Sequence, residues 1–414
     1  MAGQGVGRRE FLKAAGAPTL FGHAPSILGE LRRPNETIGV AMIGVGARGL
    51  YLLDQVQRCP DTEVRVISDL FEPNIRRAAS ATASAGVRIE KDWRKAIERK
   101  DIDAVIIATP DFWHAEMTIA ATQLGKDVFT EKGFCRTLAE AKRARQALIE
   151  NRVVFQLGHH WNSAPPYIRA RELYRSGCLG RVHRVHMQAN GDWRTYSAYN
   201  LNQALGDANF QTADWERFLG AAAPKHAFDA ARFFRWRCWW DCGNGIAGDL
   251  MSPMWDGANS VMGLGIPDSV VTHGGPAWRS DREVPDAWHV LFDYPSQDVV
   301  AQFSCGAHNR RDGSGSWFVG RAATLEVDAD CWRVWDAGRE SMREGQAQPR
   351  YEWKRAGMEV TSHMRNFIDC MRSRSETRCG VRRAWESAVA TAMSVESYRR
   401  ERRVRWDADR EEIV

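Results

Sequence analysis

No stretch of this chain comes near the roughly 18 consecutive apolar residues that suggest a membrane-spanning helix. Nor is there a marked surplus of charge. The 57 basic and 52 acidic residues leave a formal +5, and five basic against three acidic residues at positions 1–36 supply +2 of it. With the body near balance and no basic stripe interleaved with aromatics, nucleic acid is not an expected partner. Disulfides are not expected either, because the nine cysteines are an odd, scattered set. Cys238 and Cys242 form one C-x-x-x-C without a second pair, and His183 and His186 lie three apart on an alternating strand pattern, hence on opposite faces. Neither pair predicts a metal site.

What the chain does have is size. At 414 residues, 44% of them apolar and 26% charged, it has an ordinary globular composition but is too long for one core, so two domains are the default. Its first residues stand apart. "GRREFLKAAGA" sets Arg8-Arg9 ahead of Phe11-Leu12-Lys13 and a mildly apolar stretch to about Leu28. Residues 1–35 therefore read as a twin-arginine leader, which gives a folded, cofactor-loaded protein a periplasmic address.

"TIGVAMIGVGARGLYLLDQV" (37–56) is a β-branched apolar run, then glycines, then an amphipathic helix pattern. Gly44, Gly46 and Gly49 give G-x-G-x-x-G, with Arg48 inside the loop. The first glycine permits a tight turn, the second lets backbone approach a pyrophosphate, and the third lets helix and strand pack closely. A second strand, "EVRVIS", ends at Asp69, where an acid reaching ribose hydroxyls belongs and would repel a 2′-phosphate. That favours NAD, while Arg76 and Arg77 nearby keep NADP open. A third strand closes at Thr109-Pro110 and leads into a helix carrying His114. A fourth runs out at Glu131-Lys132 in "GKDVFTEKGF". Alternating strands and helices predict a parallel, doubly wound sheet over 36–158, with ligands beyond the carboxyl ends of the strands. Thr109, Pro110, His114, Glu131 and Lys132 all fall at that edge. An ammonium there can orient a substrate hydroxyl and exchange its proton.

"IGVGARG", "ATPDFWHAEM", "GKDVFTEKGF" and the later "HMRNFIDCMRS" together resemble the glucose–fructose oxidoreductase / inositol dehydrogenase (Gfo/Idh/MocA) family, over residues 37–409. The resemblance implies an α/β chain. A Rossmann domain would be followed over 159–414 by an α/β domain whose open, largely antiparallel sheet makes dimer or tetramer contacts, with the last helix and tail packing back. It also implies oxidation or reduction of a secondary alcohol on a sugar or cyclitol with NAD(H) or NADP(H), and makes Lys132 the catalytic residue.

Two departures matter. The family's Glu-Lys-Pro is Glu131-Lys132-Gly133 here. The second motif, an Asp, a His four residues on and an Asp three further, is Asp249, Pro253 and Asp256, so proline stands where a proton carrier is expected. His159 and His160 in "FQLGHHWNSAPPY" are the replacements at hand. His160 is read as the proton carrier and His159 as a substrate contact; neighbours on a strand face opposite ways, so only one of them easily faces the site. Asp249 is then read as a catalytic carboxylate that positions the sugar or tunes Lys132, and Asp256 as a substrate contact. Trp236, Trp239, Trp240 and Trp255 crowd around Asp249, and of these Trp240 and Trp255 are candidate platforms for a sugar face, although core packing attracts tryptophan equally. The leading expectation is a sugar or polyol dehydrogenase. A hydrolase or lyase that oxidises its sugar transiently, and a silent sugar-binding relative, stand behind it.

Overall fold

The computed structural model describes residues 37–191, 212–220, 227–275, 282–306, 313–328, 330–337, 348–354 and 361–414, so the leader lies outside the described residues. Six strands form the first sheet: β1 (Ile38–Ile43), β2 (Thr62–Ser68), β3 (Arg88–Glu90), β4 (Ala104–Ile107), β5 (Asp127–Thr130) and β6 (Phe155–Leu157). Their order is β3-β2-β1-β4-β5-β6 and every pairing is parallel. β1, β4 and β5 are buried at every position, as strands covered on both faces must be. The order reverses between β1 and β4, which opens a crevice at their carboxyl ends.

Helices cover both faces. Helix Leu138–Asn151 starts with a reciprocal capping box in which Thr137 accepts from Glu140 N–H and the Glu140 carboxylate accepts from Thr137 N–H. Helix Thr361–Ser373 comes from far along the chain yet buries Met364, Phe367, Ile368 and Met371 in one cluster with Ile38, Val40 and Phe129. Asp61 grips it from the loop before β2, pairing with Arg365 at 2.6 Å and Arg372 at 2.7 Å.

The second sheet has ten strands: β7 (Val182–Ala189), β8 (Ser269–Gly274), β9 (Trp288–Tyr294), β10 (Val299–Cys305), β11 (Ser314–Gly320), β12 (Ala323–Val327), β13 (Cys331–Asp336), β14 (Tyr351–Lys354), β15 (Val404–Asp407) and β16 (Glu412–Ile413). The order is β14-β13-β12-β11-β7-β10-β9-β8-β15-β16, antiparallel throughout except for β7 with β10. Burial alternates along β9 and β10, so one face packs beneath helices Ser252–Met262 and Val381–Arg400 while Val271, Leu291 and Val300 face outward.

One segment returns to the first domain. Thr212 O accepts from Glu72 N–H at 3.0 Å, and Asp214 N–H donates to Leu70 O at 2.8 Å. Trp113 Nε1 then donates to Phe218 O at 2.9 Å. Residues 212–220 are thereby strapped across the crevice beside β2.

Candidate active site

The glycine loop performs three separate tasks. Gly44 holds φ +80°, and a Cβ there would stand 2.7 Å from Ala108 O. A Cβ on Gly49 would meet Gly44 O at 2.1 Å, so the third glycine is a packing residue. Gly46 differs, since a Cβ would find nothing nearer than Asn74 Nδ2 at 3.7 Å. Its face is open, at the N-terminus of helix Ala47–Gln57, as close approach by a pyrophosphate requires. Asp69 follows β2 and accepts from Val45 N–H at 2.7 Å and Phe71 N–H at 2.8 Å. Burial pushes its carboxyl pKa up, and these donors work against that. Arg77 donates to Asn74 Oδ1 at 2.5 Å, and Asn74 Nδ2 lies 3.4 Å from Asp69. These residues fit a dinucleotide.

Beyond them a cleft of 1040 Å³ extends from Asp69 past Thr109 and Pro110 to Lys132, His160 and Asp249. At its inner end Lys132 Nζ lies 2.7 Å from Asp249 Oδ1 and donates to the Asp249 main-chain carbonyl at 2.6 Å. Arg237 Nε stands 3.2 Å from the same carboxylate oxygen. Asp249 lies in a π-helical turn, Ala247–Met251, that runs directly into helix Ser252–Met262. Pro253 has no N–H to offer the carbonyl four residues back, which is that of Asp249, and the lysine donates to that carbonyl.

Glu131 and Arg48 form a second pair, 2.7 Å apart, on the cleft wall. Burial works against the Glu131 carboxylate, but Arg48 and Lys132 outweigh it and hold its pKa below the ordinary range. His160 lines the cleft, and its Nδ1 has no hydrogen-bond partner among the described residues. Burial, aided by Arg48 and other neighbouring cationic and imidazole groups, pushes its pKa well below the usual histidine value, so the ring is neutral at neutral pH.

Besides Gly49, five expected site residues are absent from the cleft wall. His114 is buried behind it, with ring nitrogens 2.8 Å from Gly133 O and from Thr109 O, so it braces those two peptides. Asp256 is wholly enclosed. Its carboxylate is ion-paired with Arg383 and accepts from His159 Nδ1 at 2.9 Å, Asn162 Nδ2 at 2.5 Å and Cys379 Sγ at 3.2 Å. Although His159, Asp256 and Cys379 lie close enough to share an ion, Arg383 already supplies the positive charge there. Trp255 is a core side chain donating to Tyr294 Oη at 3.1 Å, and Trp240 packs among Trp288, Tyr398 and Arg399. Trp255 fills the core and Trp240 packs half-buried against it, where their rings bury apolar area against neighbouring aromatics; nothing in their spacing separates that role from a sugar platform. Trp236 does line the cleft, with Arg237 stacked 4.0 Å from its ring centroid.

Two residues near Lys132 escaped sequence reasoning. Arg237 was hidden among aromatics. Asp111 reads as an ordinary helix-start acid, although its place directly after Thr109-Pro110 was a usable signal.

A glycine-turned crevice at the switch point of a parallel sheet, in a chain with a second, largely antiparallel sheet, defines a dinucleotide-binding α/β protein. Residues 38–159 match the Gfo/Idh/MocA oxidoreductase family model, described as an NAD-binding Rossmann fold. It is 32% identical over 191 residues to a glycosyl hydrolase family 109 protein of Stenotrophomonas maltophilia (strain K279a), covering 44% of this chain and 41% of that protein. It is 28% identical over 200 residues to a levoglucosan dehydrogenase of Pseudarthrobacter phenanthrenivorans, covering 44% and 51% respectively. The chain thus matches about half or less of the length of these curated relatives. Among solved structures, levoglucosan dehydrogenase in complex with NADH and levoglucosan aligns with a TM-score of 0.70 at 18% identity, over 89% of this chain and 99% of that one. Aldose-aldose oxidoreductase from Caulobacter crescentus complexed with glycerol aligns with a TM-score of 0.67 at 17% identity, over 89% and 100%. At such identities the structures establish the shared fold.

Proposed function

We propose that the protein is an NAD-dependent oxidoreductase acting on a secondary alcohol of a sugar or cyclitol-like substrate. The observation that carries this reading is Lys132, fixed by both acceptors of Asp249 at the inner end of the cleft that Gly46 and Asp69 begin. A bound nicotinamide supplies the carbon that takes up hydride. Lys132 orients the substrate hydroxyl and takes up its proton as it passes one of its own to Asp249. His160, neutral, lines the same wall beside Lys132. Trp236 lines the same cleft, with Arg237 stacked on its ring. Asp69 favours NAD over NADP, although Arg77 on the same wall is placed to meet a 2′-phosphate. The levoglucosan dehydrogenase relative supports a carbohydrate substrate. The test has two parts: identify any nucleotide released on denaturation, then follow NADH formation across a panel of sugars and polyols. No nucleotide and no reduction with any member would refute the reading.

The family 109 glycosyl hydrolase relatives favour one alternative, transient sugar oxidation followed by elimination with no net redox change. Aglycone release from aryl glycosides without NADH build-up would establish it, and stoichiometric NADH would exclude it. We also propose twin-arginine export, supported by Arg8-Arg9, and self-association through the outward sheet face at Val271, Leu291 and Val300. Cell fractionation and light scattering test these two points.

A further inference from the structure

Asp111 opens helix Asp111–Gln123, is 3% exposed and stands behind the cleft wall. Three glycines from separate stretches make room for its carboxyl. A Cβ on Gly133 would lie 2.4 Å from Asp111 Oδ1 and 2.7 Å from Oδ2, and one on Gly243 or Gly248 would lie 3.1 Å from Oδ2. Gly133 also holds φ +78°, which proline, fixed near −65°, cannot adopt. The glycine that replaces the family's proline after Lys132 is therefore what admits this carboxyl.

The charged and titratable groups around it come from four directions. Lys132 and Cys135 follow β5, Arg237 lies in the turn Trp236–Cys238, Asp249 in the π-helical turn, and His114 on Asp111's own helix. Among the described residues its carboxyl accepts one long hydrogen bond, from Asn244 N–H at 3.4 Å. Carboxylates that stay ionised when buried normally accept two or three donors. Burial, with the Asp249 charge adding to it, outweighs Arg237 and Lys132 and pushes the Asp111 pKa up to about 7.

We propose that Asp111 is a positioning residue that stores the proton released by the substrate hydroxyl, acting through Lys132 and Asp249 where Pro253 has removed a histidine. The proposal rests on the oxidoreductase reading. Lys132 passes one ammonium proton by way of Asp249 to the Asp111 carboxylate and takes up in its place the proton of the breaking hydroxyl O–H, so Lys132 ends with the number it began with. The electron pair of the carbinol C–H bond leaves separately as hydride, with the nicotinamide as oxidant. The cluster of Lys132, Arg237, Asp249 and Asp111 changes from two cations and two anions to two cations and one anion.

Asp111→Asn tests this twice. In the wild type, kcat is expected to show a limb near neutral pH. The variant is expected to lose that limb, with kcat reduced on the order of tenfold at the higher pH and KM little changed. A merely structural role would lower kcat at every pH and leave the limb in place, which overturns the proposal. The second readout needs no substrate. An acid whose pKa rises on folding binds more protons in the folded state, so melting temperature falls as pH rises from its unfolded towards its folded pKa. Asp111→Asn is expected to flatten that fall, and Asp249→Asn to move its midpoint to lower pH by removing the neighbouring like charge. If Asp111→Asn does not fold, the wild-type and Asp249→Asn curves decide alone. Curves unchanged by the substitutions overturn the proposal whatever the activity. A flattened curve without turnover on any polyol would instead remove the catalytic assignment, together with the oxidoreductase reading.

Discussion

Lys132 meets two acceptors on one residue, so its ammonium is held in place before any substrate arrives. A group fixed in this way loses little freedom on reaching the transition state, and its contribution belongs to the chemical step. Lys132→Met is therefore expected to lower kcat by about 10²–10⁴-fold while leaving the dissociation constant of the nucleotide unchanged in a fluorescence titration. Nucleotide binding lost along with activity would show the lysine to be structural. His160 gives a different expectation. Its pKa lies well below that of an ordinary histidine because of burial and cationic neighbours, so it does not titrate near neutrality. His160→Asn is thus expected to reduce kcat yet preserve any limb near pH 7 in the rate profile. Loss of that limb would assign it to the imidazole.

The turn from Ala247 to Met262 shows how one substitution changes both the chemistry and the geometry. Read along the sequence, Pro253 means only that a histidine is missing. In the folded chain the same proline has no N–H for the Asp249 carbonyl, the one to which Lys132 donates. Pro253→Ala restores that N–H and sets it in competition with the lysine. It is expected to lower kcat several-fold with KM little altered, and to cost about 0.4–1 kcal/mol of stability through the freer unfolded chain. Steady-state kinetics and a urea titration check the two effects separately. An unchanged kcat would mean that the carbonyl contact does not hold the lysine. This element also marks where sequence reading stops. Gly44, Gly46, Asp69 and Lys132 were legible because each sits at the end of a continuous apolar run, where periodicity alone fixes the edge of a sheet. The partners of Asp249 were not, because Arg237 and Lys132 reach it from stretches with no shared period.

The same limit explains Asp256 across the whole molecule. Two residues in the family's second motif looked alike in sequence, yet Asp249 faces the cleft and Asp256 ties the chain together. Its contacts gather residues 159–162 after β6, helix Ser252–Met262, and Cys379 and Arg383 at the far end, so one carboxylate joins three distant segments at the junction of the two sheets. Burial opposes its ionised form, but Arg383 and His159 prevail and hold the pKa well below the ordinary carboxylate range. The sign follows directly. A carboxylate whose pKa is depressed by folding contributes stability that is fully present above its unfolded pKa of about 3.9 and is lost as pH falls below that value. Asp256→Ala leaves Arg383 buried without its anion, and such a break typically costs about 3–5 kcal/mol. At pH 7 a urea titration is expected to show a loss of that order. The same titration near pH 3 is expected to show a smaller difference, because the wild type has by then begun to lose the contribution itself. Replacing both partners, as Asp256→Leu with Arg383→Met, is expected to cost less than Asp256→Ala alone, since no charge remains stranded. A double variant as unstable as the single one would mean that packing at this junction, and not the ion pair, fixes how the two sheets meet.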